Sequence, residues 1–221
     1  MKKIKKKIVF KIAADGSSAS GKTTGGKLIA NKFKMKFLSS GTLYRFCAFK
    51  ILNNKNKYDV RFINKIANSI TLKKLQNKEL YNPEVTRLSS IIAKKPYVRK
   101  ALKGFQKNFI KKSKLVVVEG RDIGSKILKS ADLKLFFTCS TKEKAKRRLK
   151  EFKSLNKKIT LKQVEKALIQ RDKEDTKRKI SPLIMTKNAV LVDTTKLTIK
   201  QMEAKLTNLV KNSIKKKYGN L

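Results

Sequence analysis

The segment that most constrains the fold is residues 14–27, ADGSSASGKTTGGK, in which glycine and small hydroxyl residues follow an apolar run. Residues 16–23 match the pattern G-x-x-x-x-G-K-[ST], which is known as the P-loop. Small residues allow consecutive backbone N–H groups to turn inward around phosphate oxygens, and the following helix adds the positive end of its dipole. The pattern therefore predicts a strand, a phosphate-binding loop and a helix, in that order.

Within this loop, we expect Lys22 to reach the β- and γ-phosphates of a nucleoside triphosphate, and the Thr23 hydroxyl to coordinate Mg²⁺. The residues predicted to surround the triphosphate are Gly16, Ser17, Ser18, Ala19, Ser20, Gly21, Lys22, Thr23 and Thr24. The alternative is a glycine-rich turn that binds nothing. The apolar run before the loop and the helical pattern after it count against that alternative.

Composition excludes several classes of protein. The chain has 221 residues, enough for one domain with a buried core, and it contains no histidine for a catalytic triad or a metal site. Cys47 and Cys139 show neither metal-ligand spacing nor a disulfide framework. No apolar run reaches the ~18 residues that a membrane span needs. The apolar part of MKKIKKKIVFKIAA is short and contains Lys11, so we expect a strand of a cytoplasmic protein rather than a signal peptide.

The net charge of +43 raises the possibility of a nucleic-acid-binding protein. Lysines are spread over the whole chain, however, and a solvated surface is the simpler interpretation of such a distribution. Where lysine is the common cation, an arginine marks a place that needs a planar fork for a phosphate or a base edge. The nine arginines are therefore the more informative cations.

Continuous apolar runs alternate with helical patterns, and this alternation predicts an α/β fold with a parallel sheet covered on both faces. The predicted strands are residues 8–14, 35–39, 114–120, 133–139 and 189–194. The predicted helices are residues 22–33, 42–52, pieces of 61–112 broken near Pro83 and Pro96, 141–152, 160–178 and a last helix from about Ile199. Residues 53–60 are predicted to be a polar connection, and its NKYD is not interpreted as a guanine-binding motif.

Arginines and polar side chains recur where predicted strands end, which is where open α/β sheets bind ligands. SSGTLYR offers Ser40 and Arg45, PYVRKAL offers Arg99, and VVVEGRDIG offers Glu119, Arg121 and Asp122. QRDKEDTKR places Arg171, Asp175 and Arg178 on one helix face, and KAKRRLK adds Arg147 and Arg148. The structural alternatives are a helix N-cap at Ser40 or Thr42, an ion pair between Arg121 and Asp122, and a surface salt-bridge ladder.

The series DGSSASGKTT, SSGTLYR, PYVRKAL, EGRDIG, RDKEDTKRKISPL and DTTKLTI resembles the bacterial cytidylate kinases in order and spacing over residues 8–210. The resemblance implies one P-loop kinase domain over residues 1–221, of three-layer α/β/α type with a central five-stranded parallel sheet. It also implies a helical NMP-binding region at about 42–112 and a short lid at about 141–160. The expected reaction transfers the γ-phosphoryl group of ATP to CMP or dCMP with Mg²⁺, and a cytoplasmic monomer of pyrimidine nucleotide metabolism is expected.

The resemblance also implies roles for the residues that match its motifs. Lys22, Arg121 and Arg178 would be catalytic, and Arg147 and Arg148 would bind ATP. The residues implied to bind CMP are Ser40, Ser90, Arg99 and Asp122 at the base, Arg171 and Asp175 at the ribose, and Arg45, Arg121 and Arg178 at the phosphate. Apart from the resemblance, the chemistry of phosphoryl transfer leads to the hypothesis that Glu119 or Asp15 orients magnesium-bound water.

The chain departs from the family's usual pattern at several places. Ser39 replaces an aspartate, Ser17 and Ser18 replace Pro-Ala, and Lys144 and Lys146 stand where arginine is common. The insert of the NMP-binding region is shortened to TLKKLQNKELYNPEVT. Two alternatives stay open: a nucleoside monophosphate kinase with another acceptor, such as UMP, dTMP or AMP, and a basic nucleic-acid-binding protein with a P-loop.

Overall fold

Five parallel strands form the central sheet in the computed structural model, which describes residues 8–54, 58–153 and 159–219. The strands are β1 (Phe10–Gly16), β2 (Lys36–Ser39), β3 (Leu115–Gly120), β4 (Leu133–Thr138) and β5 (Ala189–Asp193). Their order across the sheet is β2-β3-β1-β4-β5. The predicted strands are confirmed, although β1 runs two residues further than expected because Asp15 and Gly16 still pair with Phe136 and Phe137 of β4.

Eight α-helices connect and cover the strands within the described residues. They are α1 (Lys22–Lys32), α2 (Ser40–Leu52), α3 (Val60–Asn68), α4 (Pro83–Ile92), α5 (Pro96–Lys111), α6 (Thr141–Lys153), α7 (Leu161–Lys177) and α8 (Ile199–Tyr218). Pro83 and Pro96 lie in the first turns of α4 and α5, where a missing N–H costs no helical hydrogen bond. Helix α2 begins at Ser40 with Ser39 as its N-cap, so neither Ser40 nor Thr42 caps it.

Apolar side chains alternate along β1 and supply a separate core to each face of the sheet. Phe10, Ile12 and Ala14 pack with residues of α1 and α8, whereas Ala13 joins the core made with α2 to α5. Two packed faces around one sheet confirm the three-layer α/β/α architecture. Within the described part of the chain, no helix combines the length and the apolar character that crossing a membrane requires.

Helices α6 and α7 form a smaller unit beside the P-loop. Ala145, Val164 and Leu168 make its buried core, and Ala19 of the P-loop packs against this core. The lid predicted at about 141–160 includes residues 154–158, which lie outside the described residues, as do Asn56 and Lys57 of the NKYD segment. Asp59 of that segment is the N-cap of α3, where its Oδ1 accepts a hydrogen bond from Phe62 N at 2.7 Å.

Candidate functional site

The P-loop connects the end of β1 to the start of α1, as predicted. Gly16 approaches β4 so closely that a Cβ atom there would lie 2.3 Å from the Phe137 carbonyl oxygen. Gly21, the N-cap of α1, has a φ of 83°, and Ala19 has a φ of 57°. Glycine adopts such left-handed angles freely, but alanine is strained there. The tight turn is therefore formed at some cost in backbone energy at Ala19.

Lys22 is buried at the start of α1, and its Nζ donates a hydrogen bond to the Ser17 carbonyl oxygen at 2.8 Å. The pKa of Lys22 is lowered to about 7, mainly by burial and secondly by the neighbouring charge of Arg121, while Glu119 opposes both. An ammonium group with a depressed pKa gains its proton when an anion approaches. Lys22 is thus suited to a polyphosphate ligand.

Glu119 at the end of β3 connects the P-loop with β2. Its Oε1 accepts hydrogen bonds from Thr23 Oγ1, at 3.2 Å, and from Ser39 Oγ, whereas its Oε2 is buried and has no partner among the described residues. Asp15 faces elsewhere, because its carboxylate accepts hydrogen bonds from the backbone N–H groups of Ile123 and Gly124 at 2.8 and 2.7 Å. Of the two carboxylates that the sequence left open, only Glu119 lines the cleft beside the P-loop.

The oxygen atoms of Thr23 and Glu119 fit a Mg²⁺ ion, which prefers oxygen ligands and retains several waters. An unpartnered carboxylate oxygen in a buried position favours such a cation or its bound water. In the described part of the chain, no three Cys, Asp or Glu side chains are grouped to hold a metal by themselves. The ion would therefore depend on phosphate oxygens of a substrate for its remaining ligands.

The P-loop forms one wall of a cleft of about 460 Å³, and the other walls come from the ends of β2 and β3 and from α2, α4, α5, α6 and α7. The predicted site residues that line this cleft are Ser18, Ala19, Ser20, Gly21, Lys22, Thr23, Thr24, Ser40, Arg45, Ser90, Arg99, Arg121, Asp122, Arg147, Arg148, Arg171, Asp175 and Arg178. Gly16 and Ser17 do not line it and support the loop from behind. One cleft thus brings together motifs that are far apart in the sequence.

Arg99 and Asp122 form a mostly buried ion pair at one end of the cleft. Arg99 Nη2 lies 2.5 Å from Asp122 Oδ2, and its Nη1 donates to the Ala93 carbonyl oxygen at 3.1 Å. Nearby, Ser40 Oγ accepts a hydrogen bond of 2.6 Å from Gln106 Nε2, which leaves the Ser40 hydroxyl proton free to donate. This end of the cleft presents fixed donors and acceptors to a polar ligand.

Asp175 joins the end of β3 to the end of α7. It accepts hydrogen bonds from Arg121 Nε at 2.8 Å and from Arg178 Nη1 at 3.3 Å. Burial alone would raise the pKa of Asp175, but Arg121, Arg171 and Arg178 together hold it below its ordinary value. Two structural alternatives are therefore wrong: Arg121 pairs with Asp175 rather than Asp122, and the arginines of α7 are largely buried rather than part of an exposed ladder.

Arg45 and Arg171 differ from the other arginines of the cleft because neither forms an ion pair with a carboxylate in the described chain. The Nε atom of each is buried without a hydrogen-bond partner there. Burial lowers the pKa of Arg171 to about 9, with further contributions from Arg121 and Arg45, and burial also lowers the pKa of Arg45. Buried positive charges without counterions destabilise a protein unless an anion binds beside them, and this part of the cleft is therefore suited to phosphate.

Arg147 and Arg148 of α6 lie over the P-loop. Arg147 donates to the side chain and the backbone carbonyl of Thr194 at 2.9 and 2.8 Å, and Arg148 Nη2 lies 3.4 Å from Ser18 Oγ. Lys144, by contrast, is buried and pairs with Asp172 at 2.5 Å, while Asp172 Oδ1 accepts a hydrogen bond of 3.0 Å from Ser18 N. Lys144 therefore supports the loop through Asp172, and Lys146 is exposed to solvent.

Several residues line the cleft without having been predicted to do so. They are Ser39, Gly41, Tyr44, Lys78, Tyr81, Ser89, Ala93, Gly120, Glu151 and Phe152, with Glu119 predicted only as a partner of magnesium-bound water. Tyr44 and Tyr81 lie beside Arg99 and Arg45, with ring centroids 5.6 and 4.7 Å from the guanidinium carbons. Tyr44 lies in a helical pattern, where a tyrosine is ordinarily part of the core, and Tyr81 lies where the helical pattern is broken, so the sequence offers no signal for either contact.

Comparison with known proteins identifies the family to which the chain is similar. A family model described as "Cytidylate kinase" matches residues 12–212. The chain is 37% identical over 206 residues to a cytidylate kinase of Rickettsia rickettsii, with 93% of each chain covered. It is 36% identical over 211 residues to one of Clostridium botulinum, with 90% of this chain and 97% of that protein covered. An uncharacterized protein from Eubacterium ventriosum shares the fold, with a TM-score of 0.54 at 12% identity over 91% of this chain and 98% of its own.

Proposed function

The chain belongs to the cytidylate kinase family and phosphorylates CMP with ATP, and we propose that its cleft holds ATP at the P-loop and CMP, or dCMP, among the arginines. This assignment of ATP to one wall and CMP to the other rests on the different groups that line the two walls of the cleft. Backbone N–H groups and Lys22 lie at one wall, and guanidinium groups from four separate elements lie at the other. Each wall suits one phosphate-bearing ligand.

For the donor, residues 16–24 surround the triphosphate of ATP and Lys22 reaches its β- and γ-phosphates. Arg147 and Arg148 extend over the loop from α6, where they contact the rest of the donor. Thr23 would coordinate Mg²⁺ and Glu119 would hold water bound to the ion, a role that the unpartnered Glu119 Oε2 supports. When bound, the ion neutralises phosphate charge and orients the γ-phosphate.

For the acceptor phosphate, Arg45, Arg121 and Arg178 supply guanidinium groups. The unpaired charge of Arg45 supports this role, because a dianion would provide the counterion that the protein does not. Asp175 fixes the side chains of Arg121 and Arg178. Their remaining N–H groups are therefore already oriented before the phosphate binds. The three side chains therefore place the attacking phosphate oxygen opposite the P-loop.

For the nucleoside, Ser40, Arg99 and Asp122 read the cytosine edge, with Ser90 nearby. Asp175 and Arg171 contact the ribose. The Arg99–Asp122 pair supports this assignment because a fixed donor beside a fixed acceptor matches a base that presents both. A site built in this way rejects a base with the opposite pattern, because its own polar groups would then be left unpaired.

The reaction itself needs little covalent help from the protein, since the acceptor is already an anion and no strong general base is required. Lys22, Arg121 and Arg178 stabilise the charge that spreads over the transferred phosphoryl group. Residues of about 42–112 and 141–160, as NMP-binding region and lid, close over the substrates and exclude water. We further propose a monomer in the cytoplasm, because the described residues of one chain supply the walls of the cleft.

An assay of ADP release with ATP and a panel of nucleoside monophosphates tests the proposal. We expect CMP and dCMP to exceed UMP, dTMP and AMP by a wide margin in kcat/KM, and we expect Arg121→Ala to remove most activity. Equal rates with AMP or dTMP would refute the base assignment. Tight RNA binding that persists at physiological salt would favour the basic nucleic-acid-binding alternative instead.

A further inference from the structure

Tyr81 contacts the buried guanidinium group of Arg45, and no role was predicted for it. Its ring centroid lies 4.7 Å from Arg45 Cζ, and both side chains line the cleft. In the described part of the chain, no carboxylate lies within ion-pair distance of Arg45, whose Nε is buried without a hydrogen bond. The face of the Tyr81 ring therefore lies where it can orient this guanidinium group.

The backbone on both sides of Tyr81 is held firmly. Leu80, which precedes it, has no exposed surface and belongs to the core made with α2. Asn82, which follows it, is the N-cap of α4, and its Oδ1 accepts a hydrogen bond of 3.1 Å from Glu84 N. The ring thus projects from a fixed support into the cleft, although it is 39% exposed.

We propose that Tyr81 is a positioning residue that holds the Arg45 guanidinium plane so that its N–H edge faces the acceptor phosphate. Stacking on an aromatic ring leaves the in-plane donors of arginine free, unlike an ion pair, which would occupy them. Such a contact is strongest where the cation is removed from water, as the Nε of Arg45 is. The inference rests on the proposed role of Arg45 at the CMP phosphate.

Because of this contact, the short segment of residues 78–81 is part of the proposed acceptor site. Lys78 and Tyr81, at the two ends of this single 3₁₀ turn, both line the cleft. The ring acts on substrate through Arg45, so removal of the ring affects acceptor binding and leaves the donor side unchanged. Removal of the hydroxyl alone leaves the ring face, and therefore the function, intact.

Steady-state kinetics of Tyr81→Leu, Tyr81→Gln and Tyr81→Phe test the proposal, with thermal unfolding measured for each variant. We expect the first two to raise the KM for CMP by roughly 2- to 30-fold with the KM for ATP unchanged, and Tyr81→Phe to match the wild type. Leu72→Ala, an exposed apolar residue of the same connection, is the control and should change neither constant. If Tyr81→Leu does not fold, Tyr81→Gln supplies the comparison.

An Arg45→Met background separates positioning from a structural effect. There, Tyr81→Gln should produce no further rise in the KM for CMP. An equal rise in both backgrounds, an unchanged KM for CMP in the single variant, or failure of Tyr81→Phe to match the wild type would each overturn the inference. Failure of the proposed function is distinguishable, because the wild-type enzyme itself would then not prefer CMP.

Discussion

The two walls of the cleft are built in opposite ways. The donor wall comes mainly from one continuous segment, residues 16–24. We propose that the backbone N–H groups and the single lysine of this segment bind the triphosphate of ATP. The acceptor wall collects its arginines from α2, α5, the end of β3 and the end of α7. One wall is therefore specified by local sequence, and the other exists only when the sheet and its helices have assembled.

The walls also differ in how their charges are balanced. On the acceptor wall, Asp122 and Asp175 hold Arg99, Arg121 and Arg178, which fixes donors in space before any ligand arrives. Lys22 on the donor wall has only the carbonyl of Ser17 as a hydrogen-bond partner among the described residues, and it has a lowered pKa. Three guanidinium groups of the acceptor wall are thus preorganised by ion pairs, whereas Lys22, like Arg45 and Arg171, gains a counterion only when a ligand binds.

Replacement of Lys22 has the largest expected effect on this contrast. Lys22→Met keeps an unbranched side chain of nearly the same length but removes its charge, and kcat should fall by about 10²–10³ because an electrostatic contact to the transferred phosphoryl group is lost in the transition state. Steady-state measurement of ADP formation gives kcat. Lys27→Met, an exposed lysine of the same helix, should leave kcat unchanged. Near-normal turnover in Lys22→Met would show that the donor wall does not work as described.

Asp122→Asn tests the preorganisation of the acceptor wall. The substitution leaves Arg99 without its carboxylate, and kcat/KM for CMP should fall by about 10- to 100-fold, the value of a hydrogen bond to a charged group. The KM for ATP should not change. Asp59→Asn serves as the control. It makes the same chemical change at a helix N-cap, where aspartate and asparagine stabilise the helix about equally well. Unaltered CMP kinetics would contradict the assignment of Asp122 to the acceptor.

The pH dependence of ATP binding probes the charge of the donor wall. Lys22, with a pKa of about 7, is mostly neutral at pH 8 in the free protein and protonated beside phosphate, so binding takes up a proton. Affinity for ATP should therefore weaken as pH rises above about 7, by at most about tenfold per unit. Calorimetry in buffers of different ionisation enthalpy measures the uptake. The same uptake in Lys22→Met would assign it to another group.

Ala19→Gly has the smallest expected effect and tests whether the backbone of the P-loop is strained at Ala19. Relief of the left-handed conformation favours the variant, and the greater freedom of glycine in the unfolded chain opposes it. The net stabilisation should not exceed about 1 kcal/mol, measured by urea unfolding without nucleotide. Destabilisation would show that packing of the Ala19 methyl group against the core of α6 and α7 outweighs its backbone strain.

The sequence predicted most of the fold because the central strands β1, β3 and β4 are buried and mostly apolar and lie between helical patterns. No strand order was predicted, and the pairing of Arg121 with Asp122 that was considered as an alternative is wrong, because both depend on contacts between distant segments. Arg121 and Asp122 are adjacent in sequence but point in different directions from the strand end, so Arg121 pairs with a residue 54 positions away. Tyr81 lay in a segment with no periodic signal, and only the folded chain places it on Arg45.

The central claim is that the fixed guanidinium groups face CMP while the P-loop holds ATP. A crystal structure with CMP and an unreactive ATP analogue measures this directly. We predict that Arg45, Arg121 and Arg178 lie within hydrogen-bond distance of the CMP phosphate, with Arg99 and Asp122 at the cytosine edge. Guanidinium groups turned to solvent, with the pyrimidine bound elsewhere, would contradict the account.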